Sequence, residues 1–208
     1  MTAPVKSSPL ALTVLALLHY KPLHPYGIQQ LIKQWGKEQV VNVGQRAGLY
    51  RTIERLHTGG LIAVRQTERD QQYPERTVYE VTDEGRAVAR EWLDQMLAVP
   101  KGEFPVFPAA LSNLPMLTPA EALDVLERRA ERLAAQRADL ASQLAVHTED
   151  GVPRVTLIEH EYLLAMVDAE ERWVRAVTAE LHDGRLTWSP EMLAAFDQQQ
   201  NPGAPAGG

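Results

Sequence analysis

A chain of 208 residues is long enough to bury a good core, as one domain or two small ones. It holds no cysteine, which excludes disulfides, thiolate catalysis and cysteine-based zinc sites. The formal charge is −6, yet residues 1–100 hold 12 Lys+Arg against 10 Asp+Glu, while residues 101–208 hold 9 against 17. Within residues 40–69 there are five arginines and two glutamates, so a basic front section precedes an acidic body. Local positive charge is what phosphate neutralisation needs, whereas overall acidity mainly serves solubility. No apolar run approaches the roughly 20 residues of a membrane span. The longest, Leu10 to Leu18, is interrupted by Thr13 and followed by His19. Without a signal-peptide cleavage pattern, a cytoplasmic protein with no membrane partner is expected.

In chain order, Met1 to Ser8 reads as a flexible arm. Leu10 to Tyr20 forms a first buried helix, and Pro25 opens a second at its first turn, where the missing N–H costs nothing. Ile28, Leu31, Ile32 and Trp35 continue that helix at i, i+3, i+4, i+7, and Gly36 stops it. Lys37 to Gly44 is a turn region, and a third helix begins near Gln45. Leu49, Ile53 and Leu56 share one of its faces, with Tyr50, Arg51 and Arg55 outside that stripe. Gly59-Gly60 ends it. Leu61–Val64 and Thr77–Val81 read as two strands, with Arg65, Arg69 and Arg76 between them. Three short helices followed by a hairpin is the winged-helix order. A helix followed by a basic hairpin suits DNA: the helix fits the major groove and the hairpin reaches backbone or minor groove. Thr82 caps a fourth helix with Asp83 and Glu84 in its first turn. Ala89, Trp92, Leu93 and Met96 line one face of it, so it is expected to leave the head and pack on the body of the partner subunit.

Val99 to Leu117 is broken by Pro100, Pro105, Pro108 and Pro115, but Phe104, Val106, Phe107, Leu111 and Leu114 make it too apolar for a free linker. Thr118-Pro119-Ala120-Glu121 is a capping box opening a helix to about Val146. Leu126, Leu133 and Leu140 recur in it every seven residues, which helix pairing within or between chains would produce. A second long helix spans about 154 to 182. Two long antiparallel helices cannot bury two faces alone, so a second subunit is their natural cover. Ser189-Pro190-Glu191 starts a short helix through Phe196, and Asn201 to Gly208 should be disordered.

Tyr50-x-x-Ile53-x-x-Leu56-x-x-x-Gly60-Leu61-Ile62, followed by Arg76-x-x-Tyr79-x-x-Thr82-x-x-Gly85, resembles the PadR family of bacterial transcriptional regulators. The resemblance runs from about Leu10 to about Leu181 and is most specific between Tyr50 and Gly85. It departs at His57, where many members carry an acid, and in the Gln66–Glu75 connection. It implies a mainly α fold with a small β-hairpin wing: an N-terminal winged helix-turn-helix plus a C-terminal antiparallel long-helix dimerisation region. The corresponding divisions are 1–98 for the head, 99–117 for an apolar connector, 118–183 for the helical domain and 184–208 for the tail.

Helix-turn-helix geometry points the N-terminal turns of the third helix at base edges. Gln45 and Arg46 stand there, suited to adenine and guanine respectively. Tyr50 and Arg51 would touch phosphate, Arg55 also sits on this helix, and Arg65 and Arg69 would act from the wing. Arg76, nearest the strand, is read as structural, as are Tyr79 and Thr82, while Gly85 lets the following helix pass close to the hairpin. The family resemblance further implies a homodimeric repressor on a palindromic operator, released by a small aromatic or hydrophobic ligand. Trp92, Phe104, Phe107 and Trp173, with Trp188, are the candidate walls for such a ligand between head and body. Dimer interfaces use the same residue types.

Glu159-His160-Glu161 suggests a metal, but adjacent helical residues point in different directions. No phosphate-binding glycine loop and no G-x-S-x-G elbow is present, so neither an enzyme nor a cofactor is expected. A rival reading keeps the dimer but makes the winged domain a protein-interaction module on a non-DNA helical scaffold. The acidic overall charge favours that rival.

Overall fold

The structure is a computed structural model and describes residues 5–37, 40–41, 46–70, 73–102 and 104–200, without the side chains at 46, 67–70, 73–76, 197 and 200. The described chain divides into two compact units, 1–103 and 104–208. In the first unit α1 (Pro9–Tyr20), α2 (Pro25–Gln34) and α3 (Arg46–Thr58) precede β1 (Ile62–Asp70), β2 (Tyr73–Val81) and α4 (Asp83–Ala98). Each start has a local cause. Ser8 accepts from the Ala11 N–H at 3.2 Å and Pro9 follows it; His24 Nδ1 accepts from the Gly27 N–H at 2.9 Å ahead of Pro25. Histidine is not a common cap residue, so Pro25 rather than His24 is the start signal visible in the sequence.

The core of this unit is aliphatic. Val14, Leu15 and Leu18 of α1 pack with Ile28 and Ile32 of α2, Leu49 and Leu56 of α3, and Ile62 at the start of β1. Trp92 of α4 is buried in the same cluster with Ala89 packed against it, so this part of the helix docks on its own unit rather than leaving the head, while Leu93 and Met96 are exposed. Two further expectations change here. Residues 5–8 are docked rather than loose, since Val5 packs on this core beside Gly59, whose lack of a Cβ leaves it room. The strands are also longer than the apolar pattern indicated. β1 and β2 pair antiparallel from Ile62↔Val81 out to Asp70↔Tyr73, with irregularities between Val64 and Gln66 and between Glu68 and Asp70. Backbone bonding carries the ladder through charged residues that have weak strand preference. Leu23 adds a bridge to the other edge of β2: its N–H donates to the Tyr79 oxygen at 3.0 Å, and its carbonyl oxygen accepts from the Tyr79 N–H at 2.9 Å.

The second unit contains α5 (Val106–Leu111), a 3-10 turn at Leu114–Met116, α6 (Pro119–Glu149), a second 3-10 turn at Arg154–Thr156, α7 (Ile158–His182) and α8 (Pro190–Gln200). Both halves of the Thr118/Glu121 capping box form. α6 and α7 are antiparallel: Leu117, ahead of α6, accepts from Trp188 Nε1 beyond α7 at 2.8 Å, and His147 meets His160 at the opposite end. Ala122, Leu126, Ala130 and Leu133 pack against Val174 and Leu181, with Phe107, Leu111, Leu114 and Leu117 alongside. The proline-broken segment from Phe107 to Leu117 therefore belongs to this helical body. The tail from 201, expected to be disordered, lies outside the described residues.

Candidate nucleic-acid interface

The third helix is held by a buried stripe and presents everything else outward. Leu49, Ile53 and Leu56 are core residues, and Thr52 is buried with its hydroxyl donating to the Gly48 oxygen at 2.9 Å. Ala47, Tyr50, Arg51, Glu54, Arg55 and Thr58 are exposed, at spacings that make one continuous outer face. Tyr50 is 50% exposed, so half of its side chain is open to a partner. Arg51 Nε donates to the Ala47 oxygen at 3.2 Å, laying the side chain along its own helix, and Arg55 stands one turn further on. Arg46 is the first residue of α3; its side chain, and the whole of Gln45, lie outside the described residues. Glu54 follows Tyr50 by one turn. This acid makes the C-terminal half of the face less favourable to phosphate than the N-terminal half.

The end of α3 and the start of α4 are tied into one junction. Gly60 adopts φ +74°, the left-handed conformation that closes the helix, and the Leu61 N–H donates back to the Leu56 oxygen at 3.0 Å. The Thr82 hydroxyl donates to the Gly60 oxygen at 2.8 Å and accepts from the Gly85 N–H at 2.9 Å. One side chain thus satisfies the C-terminal end of the outer helix and the N-terminal end of the next. Tyr79 packs partly on the core and meets the His57 ring edge-on at 5.7 Å. These are positioning tasks, as the sequence pattern indicated. His57, the departure from the family pattern, fills a ring contact rather than an ion pair.

On the wing, Arg65 pairs with Glu80 across the ladder at 3.5 Å, both half-exposed. Such a pair is weak in water and leaves the guanidinium accessible. Arg69 lies on β1 and Arg76 faces Glu68 in the register; neither side chain is among those described. In the first turn of α2, the half-exposed Tyr26 accepts from Gln30 Nε2 at 3.0 Å. No periodicity could have singled it out, because it lies on the polar side of a short helix.

The four candidate ligand-contacting aromatics separate. Trp92 is only 7% exposed and is a wall of the first unit's core. Phe104 is fully exposed and belongs to neither core. Phe107 and Trp173 meet edge-on at 6.1 Å within the second unit, and the Arg129 guanidinium covers the Phe107 ring at 3.5 Å from its centroid. Arg129 also binds Glu170, its Nε lying 2.7 Å from the carboxylate. Among the described residues no cluster of three or more His, Cys, Asp or Glu could hold a metal ion, and no helix is long and apolar enough to cross a membrane.

A helix with a polar, arginine-bearing outer face, followed by a two-stranded hairpin packed on the same core, defines a winged helix-turn-helix protein. Residues 14–91 match the model of the Transcriptional regulator PadR-like family, so the first unit carries a PadR-like domain. That family is one of transcriptional regulators, not enzymes. Solved structures agree over most of the chain. Bacillus subtilis PadR in complex with operator DNA aligns with a TM-score of 0.66 at 19% identity, covering 83% of this chain and 98% of that one. The same B. subtilis protein in complex with p-coumaric acid aligns at 0.64 and 18% identity, covering 84% and 99%. The Vibrio cholerae virulence activator AphA aligns at 0.62 and 20%, covering 84% and 98%. At such identities the likeness establishes the fold. No curated protein sequence matches the chain.

Proposed function

We propose that the protein is a homodimeric DNA-binding repressor that places α3 in the major groove of each half of a palindromic operator. The observation that carries this reading is the outer face of α3, where Tyr50 and Arg51 stand clear of the core in the N-terminal half. Gln45 and Arg46 would read base edges; Tyr50, Arg51 and Arg55 would bind phosphate; Arg65 and Arg69 would anchor the wing. The operator complex of the similar B. subtilis protein supports DNA as the partner. The similar AphA is described as an activator, so the sign of regulation is part of what is proposed.

Dimerisation is supported by apolar surface that the single chain leaves uncovered. Leu93, Met96, Leu97 and Val99 at the end of α4 are exposed, as are Ile158, Tyr162, Met166 and Trp173 along α7. Patches of this kind mark protein interfaces. Control by a small aromatic or hydrophobic effector is the third part of the reading, supported by the p-coumaric acid complex of the B. subtilis protein.

Selection from a pool of random duplexes at near-physiological salt tests the core of the proposal, with an inverted repeat as the expected product. On the selected site, Arg46→Ala should relax sequence preference, and Arg51→Ala should weaken all duplexes alike while lowering the salt slope by about one. Folded dimer that enriches no sequence would favour the protein-interaction reading instead.

A further inference from the structure

The second unit carries an open groove of about 540 Å³ between α5, the following 3-10 turn and α6. That volume is typical of small-molecule sites, which span roughly 300–1,000 Å³. Its floor is apolar, made chiefly by Leu111, Leu114, Leu117 and Leu126. Its α6 rim presents Arg128, Arg129 and Arg132, and no acidic residue lines it. The three arginines are not equivalent. Arg128 is paired with Asp124, and Arg129 is held between Glu170 and the Phe107 ring. Arg132 is exposed and has neither an ion pair nor a hydrogen bond among the described residues.

We propose that this groove binds a small amphipathic carboxylate, its apolar body on the leucine floor and its carboxylate on Arg132. A guanidinium presents parallel N–H donors that match a carboxylate in two bonds, and an apolar body alone would cover Arg132 without compensating its charge. The same argument disfavours an apolar helix of a second copy in this groove, because it would bury an unpaired cation. The uncovered apolar stripes on α4 and α7 offer a second copy a surface without that cost. The inference names a site and a ligand class for the effector control proposed above. It rests on that reading for its consequence, not for binding.

The test is calorimetric titration of the full chain with 4-phenylbutyrate and with 4-phenylbutanol, its neutral counterpart. The acid should bind about tenfold more tightly than the alcohol, as expected for a charge-assisted bond at a partly wet site. Arg132→Gln should remove that difference while leaving alcohol binding in place. Val125→Glu puts a negative charge at an exposed lining position, 42% accessible and outside the core. It should weaken the acid by about tenfold or more and the alcohol much less. Absence of acid binding, equal binding of acid and alcohol, or acid binding indifferent to both substitutions overturns the proposal. So does loss of the dimer on Val125→Glu in a chain that binds no acid, which would give the groove to a second copy. If the acid binds as described but leaves affinity for the selected duplex unchanged, the site stands and only the effector reading falls.

Discussion

Single atoms decide the junction between α3 and the wing. A Cβ on Gly85 would lie 1.9 Å from the Leu61 carbonyl oxygen, so any side chain there must push α4 away from the turn that ends α3. Gly85→Ala is expected to cost about 2–3 kcal/mol, read as a lower denaturant midpoint with an unchanged slope. A loss below about 0.5 kcal/mol would mean that the turn yields freely. A second residue, Glu171, is almost fully buried between α6 and α7. Its carboxyl is held below the usual glutamate range by hydrogen bonds from Arg137 and then from Arg175, at 2.7 and 2.8 Å. Since the folded value is depressed, the carboxylate's contribution is complete above the unfolded value of about 4.3 and disappears as pH falls through the lower folded value. The stability gap between the parent chain and Glu171→Gln should therefore be constant from about pH 7 to about pH 5 and narrow in stronger acid. A gap that persists unchanged in acid would show that packing, not charge, is what Glu171 supplies.

At the scale of elements, caps do more than end helices. Thr82 both opens α4 and holds the Gly60 carbonyl, so α4 and the end of α3 share one hydroxyl. Thr82→Ala should destabilise by about 1–2 kcal/mol, and Thr82→Ser should recover most of it. If serine fails as badly as alanine, the methyl group rather than the hydroxyl is the useful part. The capping signals were legible beforehand because each involves residues within four positions of one another. The same holds for the Leu49, Ile53 and Leu56 stripe and for Gly60. The full length of the hairpin was not legible, since a polar strand is specified by the backbone of its partner rather than by its own alternation. His24 as a cap escaped notice because histidine is not a common cap residue, although its partner Gly27 is only three positions away. The Leu23 bridge to Tyr79 escaped for a reason related to the hairpin's, since it depends on a segment met only in space.

For the molecule as a whole, the uncovered apolar faces carry the prediction. Tyr162 and Met166 stand on successive turns of α7, both more than half exposed. Replacing both with glutamate should weaken self-association by at least about 30-fold if they are central to a dimer interface, as read by sedimentation equilibrium. Operator affinity should fall with it, because each half-site contact would then be made separately. A double variant that remains fully dimeric would move the interface elsewhere, with the end of α4 as the next surface to test.

The amino-acid sequence by itself determined the helices and most of their starts, the polar face of α3, the basic front and acidic body, and the family pattern from Tyr50 to Gly85. All of these arise from interactions between near neighbours or from composition. The sequence pattern began the second long helix about four residues early, where a 3-10 turn precedes Ile158, and ended α6 and α8 a turn short. Only the tertiary structure decided which aromatic residues are core and which are surface. It took Trp92 into the first unit's core, set Phe107 under Arg129, and left Phe104 and much of Trp173 in the open. It likewise docked Val5 beside Gly59 and buried Glu171 between two arginines. The physical reason is common to them all. Burial and charge compensation depend on groups that folding brings together, and those partners are specified by packing rather than by spacing along the chain.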